Sequence, residues 1–333
     1  MSLATAVALA MFAGVVLYAL FGGADFGSGF FDLTAGGTAN GARLRTLIDH
    51  SIGPVWEANH VWLIYILVIW WTGFPLTFAA AMSTLFIPLI LALLGIVVRG
   101  ASFAFRKYSA TVAQARLFGA IFAVSSLITP FFLGAVAGAL ASGRVPAAGN
   151  GDLISSWTHP TSLFGGVIAI GTCAFLAGSF LTADAARTGD SDLAGQLRVR
   201  TIGVGIATGA IVFAALIPIR HDAPTLSDGL MERAAPLIVI SGLAGIATLV
   251  LLYRRIYSPA RLGAVIAVAA VVLGWGVAQE PWILVDQVTI ADGAGARATL
   301  QGLLLVVGLA CVIVVPALTY LFSLTQSERW SHD

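Results

Sequence analysis

Six ionisable side chains stand in or at the ends of long apolar runs within the first 106 residues: Asp25, Asp32, Glu57, His60, Arg99 and Arg106. Carboxylates and an imidazole bracket the pKa range needed to pass protons near neutral pH. On a helix Glu57 and His60, three residues apart, share a face, as do Trp56 and His60, four apart, and Asp25 and Asp32, seven apart. The same residues also admit a static role, in which Arg99 pairs with a carboxylate and ties three helices together. The two roles are compatible. Glu57 and His60 also form half of a Glu-x-x-His di-iron arrangement, which needs a second such pair. The chain contains no other, so no self-contained metal site is expected. His60 as a haem axial ligand is a further alternative.

The elements that must position these groups are membrane helices. The chain has 333 residues, 59% hydrophobic and 10% charged, with a mean hydropathy of +0.95. A soluble domain carries roughly 25% charged residues. Each crossing of a hydrocarbon core about 30 Å thick takes about 20 apolar residues. Nine spans are predicted, at 4–33, 52–72, 75–103, 113–140, 161–185, 199–219, 234–254, 261–279 and 299–324. The long continuous runs exclude a β-barrel, whose strands are short and alternating. The expectation is an all-α polytopic bundle forming one integral membrane domain over 1–333. The apolar N-terminus lacks the basic n-region of a signal peptide and reads as a retained first span.

Charge asymmetry orients the bundle. The loops after spans one, three, five and seven, with the C-terminus, hold twelve Lys and Arg residues, Lys107 and Arg329 among them; the other side holds four, and Arg99 lies within a span. The positive-inside rule puts the N-terminus outside and the C-terminus in the cytoplasm, which requires an odd number of spans. Spans one, two and three then bring Asp25, Glu57 and Arg99 to the same cytoplasmic third of the bilayer. Gly23-x-x-x-Gly27 and Gly29 leave the first helix thin enough for close approach.

Other groups carry less. Net charge is +1, without a basic tail or stripe, so nucleic acid is not an expected partner. Cys173 and Cys311 read as small core hydrophobes. Glu280 and Asp286 flank Trp282 at an interface, His159 begins an outer helix, and His50 and His221 fall in predicted loops, with His332 in the tail. Asp184 reads as a helix-end charge.

The run Ile52-Gly53-Pro54-Val55-Trp56-Glu57-Ala58-Asn59-His60-Val61-Trp62-Leu63 resembles the signature of subunit II of cytochrome bd-type quinol oxidases, Pro-x-Trp-Asp-Gly-Asn-x-x-Trp. Gly22-Gly23-Ala24-Asp25-Phe26-Gly27 is similar to that family's Asp-Gly-Phe-Asp-x-Gly. Arg99-Gly100-Ala101-Ser102-Phe103-Ala104-Phe105-Arg106 is similar to its Arg-x-x-x-Phe-acid-aromatic-Arg, and the segment from Glu280-Pro281-Trp282-Ile283 to Thr289-Ile290 also resembles it. The chain departs from the pattern at Gly22, Glu57, His60 and Ala104: two acids are gone, one is lengthened, and one position has become a base.

The resemblance implies a subunit of a quinol:oxygen oxidoreductase in the cell (inner or plasma) membrane. Its partner would be a nine-helix subunit I that carries haem b and haem d-type groups and oxidises quinol; a quinone bound here is also implied for some members. Asp25, Glu57, His60 and Arg99 would line a proton path from the cytoplasm or brace the subunit interface. Trp56, Trp62 and Arg99 would face the partner or a cofactor. Two other classes stay open: a proton-coupled secondary transporter and a purely structural membrane partner. A transporter would show a second, repeat-related polar site, and none is visible.

Overall fold

The computed structural model describes residues 1–37, 40–52 and 56–325. Gly53, Pro54 and Val55 of the second-span motif, and Arg329 and His332 of the tail, lie outside the described residues, as does the Lys107 side chain. The elements in chain order are α1 (Leu3–Leu33), α2 (Ala42–Ile52), α3 (Trp56–Gly73), α4 (Pro75–Thr84), α5 (Phe86–Lys107), α6 (Val112–Ala141), α7 (Pro160–Arg187), α8 (Ser191–Asp222), α9 (Pro224–Glu232), α10 (Ala235–Tyr253), α11 (Tyr257–Gln279), β1 (Trp282–Leu284), β2 (Val288–Thr289) and α12 (Arg297–Thr325).

Among the described residues, eight helices are long and apolar enough to cross a membrane, and a ninth is counted if α2 and α3, set at 53° to each other, form one broken span. Glu57, Asn59 and His60 dilute the apolar character of α3. Its 18 residues still reach about 27 Å, close to the hydrocarbon thickness. The all-α polytopic expectation therefore holds.

Helix boundaries follow local chemistry. The Ser2 hydroxyl accepts from Thr5 N at 3.0 Å and caps α1, a contact that contributes about 1 kcal/mol. Thr111 caps α6 through Gln114 N at 3.2 Å. Pro160 opens α7 at a position where its missing N–H costs nothing. The predicted third span, 75–103, is instead two helices broken at Leu85. Pro88 explains the break: it has no N–H for the Thr84 carbonyl, and its ring would clash there.

Short elements also sit where loops were expected. α2 occupies the loop after the first span and contains His50. Leu44 and Ile48, four apart, are buried on its inner face against the ends of α1, α7 and α8. His221 lies in the last turn of α8, and α9 follows. β1 and β2 pair antiparallel across the segment that contains Trp282, Asp286 and Thr289. Cys173 is buried, but Cys311 is exposed on α12 rather than in the core.

α1 is the central strut and packs against α3, α6, α7 and α11. Around it α5 packs on α6, α6 on α7, and α7 on α8. Asp190 caps α8 through Leu193 N at 3.0 Å and pairs with Arg43 of α2. The Leu193 amide and the Arg43 guanidinium hold its carboxyl below the usual carboxylate range. A depressed carboxyl stabilises the fold above its ordinary pKa of about 3.9 and loses that contribution as pH falls through the lower folded value. Asp190→Ala should therefore increase hydrogen exchange at the α7–α8 turn at pH 7, and the difference from the unsubstituted protein should vanish at strongly acid pH.

Candidate functional site

The buried polar site is built from α1, α3, α5 and α6. Arg99 of α5 and Asp25 of α1 have side chains only 1% and 2% exposed, and Arg99 Nη2 donates to Asp25 Oδ1 at 2.6 Å. Burying two charges costs several kcal/mol unless the remaining donors and acceptors are satisfied. Here Arg99 Nε donates to Ser126 Oγ of α6 at 2.9 Å, and Nη2 lies 3.4 Å from the Asp25 carbonyl. The guanidinium carbon lies over the Phe26 ring at 5.1 Å and the Phe122 ring at 4.9 Å, and both contacts favour the cation. The far carboxylate oxygen, Asp25 Oδ2, is buried with no hydrogen-bond partner.

One level along the bundle a second pair repeats the first. Asp32, two turns beyond Asp25, accepts from Arg106 Nη1 at 2.6 Å and from Arg45 Nε at 2.8 Å. Arg106 Nη2 reaches on to Asp49 Oδ1 of α2 at 2.6 Å. Asp25 and Asp32 are seven residues apart on α1, and Arg99 and Arg106 are seven apart on α5. The two rungs match only if α1 and α5 run in the same direction, as alternating spans require. They are separated by about 10.5 Å along the helix. Arg45 and Arg106, near helix ends, are partly buried partners of Asp32.

His60 approaches the first rung from α3. Its ring lies 5.7 Å from Phe26, 6.2 Å from Tyr18 and 6.4 Å from Trp56, centroid to centroid. Tyr18 Oη is 3.4 Å from His60 Nδ1. Trp56 also packs on Phe103 at 5.8 Å, and Trp62 lies against the cluster of Tyr18, Phe26 and Cys173. Both tryptophans therefore make contacts inside the chain. Glu57 stands apart from this cluster. It is exposed and makes no hydrogen bond or ion pair among the described residues. With Val61, Ile64, Val68 and Trp71 it forms an exposed stripe along α3.

The sequence-predicted residues thus divide. Asp25, Arg99 and His60 come together, Trp56 and Trp62 border them, and Glu57 faces outward. Tyr18, Ser126, Arg45 and Asp49 were missed. Tyr18 was within reach of sequence reasoning, because it stands seven residues before Asp25 on the same helix face. Ser126 carries no signal in the sequence. Asp184 has more partners than a free helix end: Ser51, Arg187 and Arg261 all approach it. His159 precedes α7 and lies 3.7 Å from Asp222. Among the described residues no three His, Cys, Asp or Glu side chains are grouped to hold a metal ion. Tyr18 engages His60 Nδ1, and three aromatic rings lie within 6.4 Å of the imidazole, centroid to centroid.

These positions can be set beside known proteins. The profile of one family, described as cytochrome bd terminal oxidase subunit II, matches residues 3–325. The chain belongs to the cytochrome bd terminal oxidase subunit II family. A relative from Bacillus subtilis (strain 168), cytochrome bd ubiquinol oxidase subunit 2, is 30% identical over 223 residues, 66% of this chain and 64% of that protein. Cytochrome bd-I ubiquinol oxidase subunit 2 from Escherichia coli (strain K12) is 27% identical over 169 residues, 47% of this chain and 43% of the relative. The chain thus spans less than two thirds of the length of either. One chain of the bd oxidase from Geobacillus thermodenitrificans shares the fold, with a TM-score of 0.82, 22% identity, and coverage of 99% of this chain and 100% of that one. As a member of this family with eight or nine apolar helices among the described residues, the protein is a multi-pass membrane protein.

Proposed function

We propose that this chain acts as subunit II of a cytochrome bd-type terminal oxidase in the cell membrane, as one integral domain over 1–333. It supports a haem-bearing subunit I in quinol oxidation and oxygen reduction. The match of the family profile from residue 3 to residue 325 carries this reading. The buried Asp25–Arg99 pair at two of the motif positions agrees with it. Haem b and haem d-type groups are held mainly by the partner, and a quinone is a further ligand of the complex.

The N-terminus lies outside and the C-terminus in the cytoplasm. The ladder from Asp49 through Arg106 and Asp32 then starts near the cytoplasmic face, and Asp25, Arg99 and His60 lie one level deeper. Asp25, Glu57 and His60 serve proton access, with Arg99 holding Asp25 in place. Trp56 and Trp62 back the face turned to the partner. The exposed α3 stripe, with Glu57 among apolar side chains, suits a neighbouring protein better than lipid, because a carboxylate facing hydrocarbon is costly.

Two measurements test this. Purified in mild detergent, the chain should bring with it a second polytopic subunit showing haem absorption; a stable, haem-free, partnerless preparation would refute the assignment. Glu57→Gln should slow oxygen reduction about tenfold or more while leaving haem content normal. Lost assembly in that variant would instead favour a purely structural role. A proton-coupled transporter is disfavoured, because among the described residues the paired rungs Asp25–Arg99 and Asp32–Arg106 have no repeat-related copy in the later helices.

A further inference from the structure

Tyr18 and His60 are forty-two residues apart, yet their side chains meet. Position 22 makes this possible. A Cβ at Gly22 would stand 2.8 Å from Tyr18 Cε2, so the phenol ring occupies the space that a side chain at 22 would need. Tyr18 and Asp25, seven residues apart, share a face of α1. Asp25 Oδ2 is the buried acceptor without a partner, and such an oxygen is costly unless it takes a proton or a water. Tyr18 lies within electrostatic reach of Asp25, Arg99 and Cys173, and His60 within reach of Asp25 and Arg99. Phe26 stands between the Arg99 guanidinium and the His60 ring. His60 is half-buried, and its Nε2 makes no hydrogen bond among the described residues.

We propose that Tyr18 and His60 form a proton relay between the unpartnered Asp25 Oδ2 and the outer side of α3. The inference rests on the subunit II reading and adds to it a path that uses a tyrosine. A proton that reaches a water on Asp25 Oδ2 is passed on to Tyr18 Oη, leaving that water neutral, as the phenol O–H bond breaks and its own proton passes to the lone pair on neutral His60 Nδ1. The imidazolium then releases the proton on Nε2. One proton enters, one leaves, and no electron moves; rotation of the ring restores the starting tautomer. The charged and titratable groups around His60 are Asp25 and Tyr18 from α1 and Arg99 from α5, with Glu57 one turn back on its own helix; Cys173 of α7 lies beside Tyr18.

The test uses the purified complex with its oxidase partner, quinol-driven oxygen consumption from pH 5.5 to 9, and haem absorbance per protein as the measure of assembly. Tyr18→Phe retains the ring over Gly22 and removes only the hydroxyl. It should lower turnover about tenfold or more with full haem content. His60→Gln should lower it similarly and flatten the pH profile, and the double variant should be no slower than the slower single one, as expected for two members of one path. Tyr18→Phe with wild-type turnover across the pH range overturns the relay. Lost haem in Tyr18→Phe also overturns it, because the hydroxyl would then be structural. If His60→Gln fails to assemble, Tyr18→Phe still decides. A wild-type preparation without a haem-bearing partner would instead overturn the subunit II reading itself.

Discussion

Arg99→Leu is expected to cost about 3–5 kcal/mol of stability, the usual consequence of removing one member of a buried ion pair. Asp25 would be left 3% exposed with neither oxygen compensated, and Ser126 would lose its donor from Arg99 Nε. Thermal unfolding in detergent, followed by tryptophan fluorescence, would show a lower midpoint and reduced yield from membranes. Combining Arg99→Leu with Asp25→Asn should recover much of the loss, because the remaining cost comes from an unpaired charge rather than from a missing attraction. An Arg99→Leu protein as stable as the original would contradict the geometry of the pair.

Gly27→Ala is the second large effect. A Cβ at Gly27 would fall on the Cys173 carbonyl and the following peptide nitrogen, which are backbone atoms that cannot swing aside. α1 would have to move away from α7, at a cost of about 1–3 kcal/mol or more. Gly23→Ala is the matched control. Its Cβ would stand 3.4 Å from Cys173 Sγ, an ordinary contact, and the better helix propensity of alanine offsets part of any strain. The same unfolding assay should separate the two variants clearly. Equal midpoints would mean that the α1–α7 contact is looser than described.

Much of this architecture was legible because one physical constraint dominates a membrane chain: every crossing needs a long apolar run. The predicted limits of the first span, 4–33, and the fourth, 113–140, lie within one residue of α1 and α6. The break at Leu85 was not seen, because hydropathy runs unbroken from 75 to 103 and only Pro88 marks the interruption. α2 was hidden by its charges: Arg43, Arg45 and Asp49 give it a polar average, although Leu44 and Ile48 carry a clear apolar face. The Asp25–Arg99 pair was expected from the matching depth of two spans. Its support from Ser126 depends on which helix lies behind α5, and spacing within one helix does not contain that information. Glu57 and His60 share a helix face by spacing, but three residues leave them offset by about 60° around the axis, enough to separate an exposed edge from a half-buried one. The partnership of Arg45 and Arg106 with Asp32 is not legible either, because residues near a helix end look alike in sequence, whether they reach into solvent or turn back.

The Asp25–Arg99 pair also bears on how the chain is made. An isolated arginine or aspartate at the centre of a helix adds about 2.5–3.5 kcal/mol to the cost of entering the bilayer. Asp25 leaves the ribosome seventy-four residues before Arg99, so α1 enters the membrane carrying an uncompensated carboxylate. When α5 emerges, its own entry is hindered by Arg99 unless that carboxylate is close at hand. Biogenesis therefore favours retaining α1 beside the insertion machinery until α5 arrives, and α6 then delivers Ser126 and Phe122 to close the site. The pair that holds the finished bundle together is thus also expected to couple the entry of α5 to the presence of α1.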